Sequence, residues 1–146
     1  MKYIFSLVLF LSFSGVAMAQ FPVIMVPEKA KSQAQLDSLR RLKSIKMLAA
    51  NDFEKKLKPN TQLIDVRNQE EFDKAHIPYA QNFDFEGPNF LALVKQLNPS
   101  KPVYVYCRTG KRSAKAAHTL DSLGFKKIYT LQDGIAKYPG KTISKP

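Results

Sequence analysis

Val103-Tyr-Val-Tyr-Cys107-Arg108-Thr109-Gly110-Lys111-Arg112-Ser113, followed by Ala114-Lys-Ala-Ala-His-Thr-Leu-Asp-Ser-Leu123, is the stretch on which the reading of this chain turns. β-Branched and aromatic residues over 103–106 predict a strand, the polar run with Gly110 a loop, and the helix-period segment over 113–123 a helix. Cys107, the only cysteine, falls where the strand ends. At such a junction the loop amides and the first unpaired amides of the helix can converge on one point and favour negative charge there. A thiolate supplies that charge. Arg108, Lys111 and Arg112 add cations in the same loop, and such surroundings lower a cysteine pKa. The competing reading is a small buried apolar side chain at a strand end. Three cations and a glycine directly after it favour the nucleophile.

Cys107-Arg-Thr-Gly-Lys-Arg112-Ser113 resembles the C-x-x-G-x-R-S active loop of rhodanese (thiosulfate sulfurtransferase) domains. Upstream, Leu63-Ile-Asp65-Val-Arg67-Asn-Gln-Glu-Glu71-Phe72-Asp-Lys-Ala-His76-Ile77-Pro78-Tyr-Ala80-Gln-Asn82 is similar to that family's D-V-R-x-x-x-E-[FY]-x-x-G-H-I-x-G-A-x-N signature. Downstream, Leu131-Gln-Asp133-Gly134-Ile-Ala-Lys-Tyr138 resembles its closing L-x-G-G-x-x-x-W segment. The three stand in the family's order. The resemblance, to a single-domain rhodanese of exported or periplasmic type, implies an α/β rhodanese-like fold: a small parallel sheet of about five strands with helices on both faces. It also implies Cys107 as the catalytic residue and Arg108, Thr109, Gly110, Lys111, Arg112 and Ser113 as the substrate-binding cradle. Asp65, Arg67, Glu71 and His76 become structural support for the strand end and the helix after it. The chain departs from the pattern where Ala75 and Tyr79 replace two glycines, Asp133 replaces a third, and Tyr138 stands for the tryptophan.

Outward from the loop, the rest of the sequence sets bounds. With 146 residues there is room for one domain. Residues 1–19 have an early Lys2, an apolar centre and small residues Ala17 and Ala19 in an A-x-A arrangement, the anatomy of a signal peptide cleaved after Ala19. Its apolar run is short for a spanning helix, so a periplasmic or secreted protein with no stable membrane span is expected. One cysteine in an oxidising compartment has no partner in its own chain and remains available for chemistry. The formal net charge is +11, and no acid occurs between Glu86 and Asp121 while Lys95, Lys101, Arg108, Lys111, Arg112 and Lys115 do. A positive field centred on the cysteine loop attracts small anions. Without an aromatic-interleaved basic motif, nucleic acid is not an expected partner.

Residues 20–44 form an expected extension, part helical, with Leu36, Leu39 and Leu42 at helical spacing; the rhodanese-like domain is expected over 45–146. Within it, 45–48 reads as a strand, and Asn51 as the cap of a helix ended by Pro59. Then follow a buried strand at 61–66, a short helix at 70–74, a strand at 79–82 and a helix at 90–97 with Leu91, Val94 and Leu97 inward. The strand at 103–106 comes next, then the helix stopped by Gly124, then a last strand at 127–131. Alternating strands and helices indicate a parallel sheet covered by helices, whose ligands gather at the carboxyl ends of strands, where Cys107 lies.

A cationic, amide-lined pocket around a thiolate suits thiosulfate, a dianion with an electrophilic outer sulfur and a sulfite leaving group. Cys107 would take that sulfur as a persulfide and pass it to cyanide, to a small thiol or to a protein acceptor, with Arg112, Lys111 and Arg108 on the sulfonate. No metal or organic cofactor is called for. A persulfide carrier that does not turn over is the alternative. A cysteine phosphatase is a further one, but a C-x5-R loop needs its arginine where this chain has Ser113. His76 has no sequence partner for a Cys-His pair, and His118 reads as a surface or packing residue.

Overall fold

The stretch 103–123 forms β4 (Val103–Tyr106), a short loop, and α5 (Lys111–Ser122). Side chains on a strand alternate between faces. In β4 this sends Val103, Val105 and then Cys107 into one core with Ile64, Val66, Phe90, Val94, Ala116, Ala117 and Leu120. Tyr104 and Tyr106 go to the opposite core with Phe53, Leu63, Ile77 and Leu131. Because both faces are buried, the strand reads as a continuous apolar run without polar alternation, as central parallel strands do. Leu120 is fully buried; truncating such a side chain to alanine removes about 2–5 kcal/mol of stability.

The computed structural model describes residues 32–145. The expected leader and the beginning of the extension lie outside them. Residues Lys31–Pro146 make one unit, with α1 (Gln33–Ser44), β1 (Ile45–Leu48), α2 (Ala50–Lys56), β2 (Gln62–Asp65), α3 (Gln69–Lys74), β3 (Gln81–Asn82), α4 (Phe90–Val94), β5 (Ile128–Leu131) and a 3-10 turn at Ile135–Lys137 completing the order. The sheet runs β1-β5-β4-β2-β3 with every pair parallel. This is the five-stranded, helix-flanked α/β architecture expected. Among the described residues no helix is long and apolar enough to cross a membrane.

Several local expectations differ from the structure. Asn51 is not the cap of α2: the helix starts at Ala50, two residues earlier than an Asn51 cap would place it, and Ala49 is its N-cap, without a side-chain bond. Asp52 still sits in the first turn, where a negative charge suits the helix dipole. The third strand is only Gln81–Asn82, because Ile77 to Ala80 close a turn through the Ala80 N–H on the Ile77 carbonyl at 3.1 Å. Helix α4 ends at Val94 and turns Phe90 and Val94 inward, leaving Leu91 52% exposed. Helix α1 leaves Leu36 39% and Leu39 42% exposed; the expected Leu42 side chain lies outside what is described. Gly124 does end α5, with φ 94, in the left-handed region that favours glycine.

Candidate active site

The sheet register carries Cys107 past the last residue of β4, to the base of a loop formed by residues 107–110. Its side chain is 1% exposed. The sequence places an available sulfur here; the structure encloses it, because position 107 is the next inward-facing position after Val103 and Val105. On the loop side, Sγ accepts the Gly110 N–H at 3.2 Å. It also stands 3.6 Å from the hydroxyl of Ser113, to which the thiol donates, while that hydroxyl donates to the Gly110 carbonyl at 3.0 Å. The amides of Lys111, Arg112 and Ser113 form the first turn of α5 and have no carbonyl behind them within the helix. The backbone there is positively polarised beside the sulfur.

Two glycines make this loop shape feasible. Gly110 has φ 92, and a Cβ on it would stand 2.5 Å from the Gln132 carbonyl oxygen. Gly134 has φ 65 and ψ −172, a region essentially closed to other residues. It packs against the carbonyls of Cys107 and Arg108 so closely that a Cβ would collide with both. The close approach lets Ile135 N–H donate to the Cys107 carbonyl at 2.9 Å and Ala136 N–H to the Arg108 carbonyl at 3.1 Å. The 3-10 turn is therefore a backbone clamp on the start of the loop. Its signal in the sequence was Gly134 in the closing segment, to which residue reasoning gave no role.

The loop cations do not gather on the sulfur. Arg108, Thr109 and Lys111 are exposed. Arg112 donates through Nη2 to both carboxylate oxygens of Glu71, at 2.9 and 2.8 Å, with the two side chains 23% and 25% exposed. Glu71 is also the third residue of α3, where its carboxylate accepts the Asn68 N–H at 3.4 Å and its own N–H donates to Asn68 Oδ1 at 2.9 Å, a capping box. Glu71 thus makes its hydrogen bonds to Arg112 and Asn68, tying α3 to the start of α5, while its carboxylate acts on Arg67 through space.

Asp65 and Arg67 form a separate, buried pair. Arg67 Nε donates to both Asp65 oxygens at 3.0 Å and its Nη2 reaches the Ala75 carbonyl at 2.6 Å, joining the end of β2 to the end of α3. Removing one member of such a pair leaves a buried charge and costs about 3–5 kcal/mol. His76 donates from Nδ1 to the Phe72 carbonyl at 2.8 Å and stacks on the Phe72 ring at 3.9 Å, engaged with α3 and not with the cysteine. Its backbone pairs with Ile143, 2.8 Å in each direction. Tyr106, fully buried, accepts the Ile77 N–H at 3.0 Å, and burial with the nearby Asp65 carboxylate pushes its phenol upward, so it remains neutral. Ala75 adopts φ −166, open to any residue, so no glycine is needed there. Tyr79 does not escape so easily: its φ is 68. Among the described residues no group of three or more His, Cys, Asp or Glu is placed to hold a metal.

The chain matches the family description "Rhodanese-like domain" over residues 49–141. The Bacillus subtilis protein YqhL is 41% identical over 88 residues, covering 58% of this chain and 65% of YqhL. YrkF of the same organism, whose name gives it a candidate role as a sulfur carrier, is 34% identical over 101 residues, covering 68% of this chain and 54% of YrkF. The match thus spans somewhat less than two thirds of one relative's length and about half of the other's. A rhodanese-like domain protein from Staphylococcus aureus shares the fold, with a TM-score of 0.61 at 23% identity over 69% of this chain and 99% of that one. Sequence match and backbone agree across the segment that carries the cysteine loop, its clamp and its Glu71 tether, and the chain belongs to the rhodanese-like domain family.

Proposed function

We propose that the protein transfers sulfane sulfur through a persulfide on Cys107, with thiosulfate or a similar anionic donor as the source. The observation that carries this is the Gly110 N–H on Cys107 Sγ at 3.2 Å, beside the first turn of α5. Amides so placed stabilise a thiolate and, one sulfur farther out, a persulfide. The Cys107 thiolate attacks the outer sulfur of thiosulfate; the S–S bond to the sulfonate breaks, sulfite departs with the electron pair, and Cys107–S–S⁻ remains. Cyanide or a thiolate acceptor then attacks the outer sulfur and Cys107 leaves as thiolate. No oxidant is consumed, and two half-reactions of this kind give ping-pong kinetics. Deprotonation ends the thiol's donation to Ser113, whose hydroxyl is then free to turn and donate to sulfur.

Enclosure of the sulfur supports this chemistry over phosphate-ester hydrolysis. A donor with a single terminal sulfur can enter where a phosphoryl centre ringed by oxygens cannot. With Arg112 engaged by Glu71, the donor's sulfonate would meet Arg108 and Lys111 at the rim, and reach Arg112 only in competition with the carboxylate. The sulfur-carrier role in the name of YrkF favours a second reading, in which the loaded persulfide is handed to a protein acceptor without turnover on cyanide.

Intact mass after incubation with thiosulfate tests both readings. One added sulfur, removed by cyanide and absent in Cys107→Ser, is expected. Thiocyanate released over many turnovers identifies the transferase, and a single stoichiometric release the carrier. Failure to load, or hydrolysis of an aryl phosphate in its place, overturns the proposal.

A further inference from the structure

A second cleft lies away from the cysteine loop, with a volume of about 200 Å³, between the end of α2, the turn at 77–80 and the segment after the 3-10 turn. Pro59, Pro78, Tyr79 and Tyr138 line it together with two cations, Lys58 and Lys141, and one carboxylate, Glu54, which the Tyr138 hydroxyl bonds. Neither lysine has an ion-pair partner among the described residues.

Tyr79 is the anomaly. The turn has Pro78 at its second position and a positive φ of 68 at its third, the pattern of a type II turn, which calls for glycine there. The rhodanese signature has glycine at this position; this chain keeps the left-handed backbone and adds a tyrosine. A bulky residue held in that region gives up about 1–3 kcal/mol. The ring is 66% exposed, so packing within the chain does little to offset the strain. Strained residues that are not offset by packing are found where a ligand is gripped. A second aromatic, Tyr138, lines the same cleft and is partly buried against the core; burial and the neighbouring Glu54 carboxylate, which its hydroxyl bonds, push its phenol up to about 12, so it stays a neutral donor.

We propose that this cleft binds a small aromatic anion, its ring packed against the Tyr79 and Tyr138 side chains that line the cleft and its carboxylate or sulfonate met by Lys58 and Lys141. Offset or edge-on aromatic pairs supply contact beyond simple burial, and two ammonium groups without an ion-pair partner, against the single Glu54 carboxylate, leave the lining net positive and favour negative charge. The volume is below the roughly 300–1,000 Å³ of pockets for drug-sized ligands, so a ligand of one or two rings fits. The site is independent of sulfur chemistry at Cys107.

The test is a titration of the full-length protein with naphthalene-2-sulfonate, followed by amide NMR shifts. Shifts centred on residues 57–59, 77–80 and 138–141 are expected, with the cysteine loop unmoved. Tyr79→Gly should weaken the probe about tenfold, the loss of one aromatic face and its buried area. The fold should be retained, because glycine adopts this φ without strain. Lys58→Gln with Lys141→Gln should erase the preference for the sulfonate over uncharged naphthalene. Absence of binding, shifts centred on residues 107–113, or an affinity unchanged by Tyr79→Gly overturns the proposal.

Discussion

Cys107 is held from two sides by different parts of the chain: its side chain by β4 periodicity and α5, its carbonyl by the amide of Ile135. Gly134 makes the second hold feasible, and its φ 65 and ψ −172 exclude a side chain. Gly134→Ala should lower stability by about 3 kcal/mol or more, through backbone strain added to collision with two loop carbonyls. Urea unfolding measures the loss, and persulfide loading should fall with it at temperatures where the fold persists. At this scale the sequence was informative about chemical identity and poor about contact. The cysteine, the loop and its glycine were readable because they are contiguous. The Arg112–Glu71 pair spans 41 positions and depends on how α3 approaches α5, which no local pattern encodes. Burial of Cys107 could have been read by extending the alternation of Val103 and Val105 by one more step.

Among the elements, α3 has the most distinct role. Its capping box fixes the start of the helix, and the same glutamate reaches across to the first turn of α5. Asn68→Ala removes one half of the box and should cost about 1 kcal/mol in urea unfolding. Glu71→Ala should cost more than Asn68→Ala in the same measurement, since it also removes the partner of Arg112. Strands and helices of this domain were legible from alternating apolar runs and helical spacing, but their ends were not. Helix α2 begins at Ala50 with no side-chain cap, so the polar Asn51 pointed two residues too far. The strand expected at 79–82 is shortened by a turn whose tyrosine conceals the positive φ that a glycine would have advertised.

For the whole molecule, alternation of elements was enough to indicate a parallel sheet with helices on both faces. The order β1-β5-β4-β2-β3 was not accessible in the same way, because it depends on which distant strands meet. The order explains the site's position: β4 is central, so its carboxyl end opens between flanking elements. Charge acts at this scale too. With a net charge of +11 and no acid between Glu86 and Asp121, encounters with a dianion should be accelerated by the field and slowed by salt. The rate constant for sulfur loading from thiosulfate should fall several-fold as ionic strength rises from about 0.01 M to about 0.15 M. Alkylation of Cys107 by neutral iodoacetamide, followed by mass, should stay nearly constant over the same range.

The depth of the sulfur bears on who can meet it. At 1% exposure the bare thiol is out of reach of another macromolecule's cysteine, so air oxidation should not cross-link two copies of the chain. A second sulfur atom would move the electrophilic end outward by a bond of about 2 Å. Charging the site would thereby turn a recessed group into a projecting one, and large acceptors would encounter only the charged form.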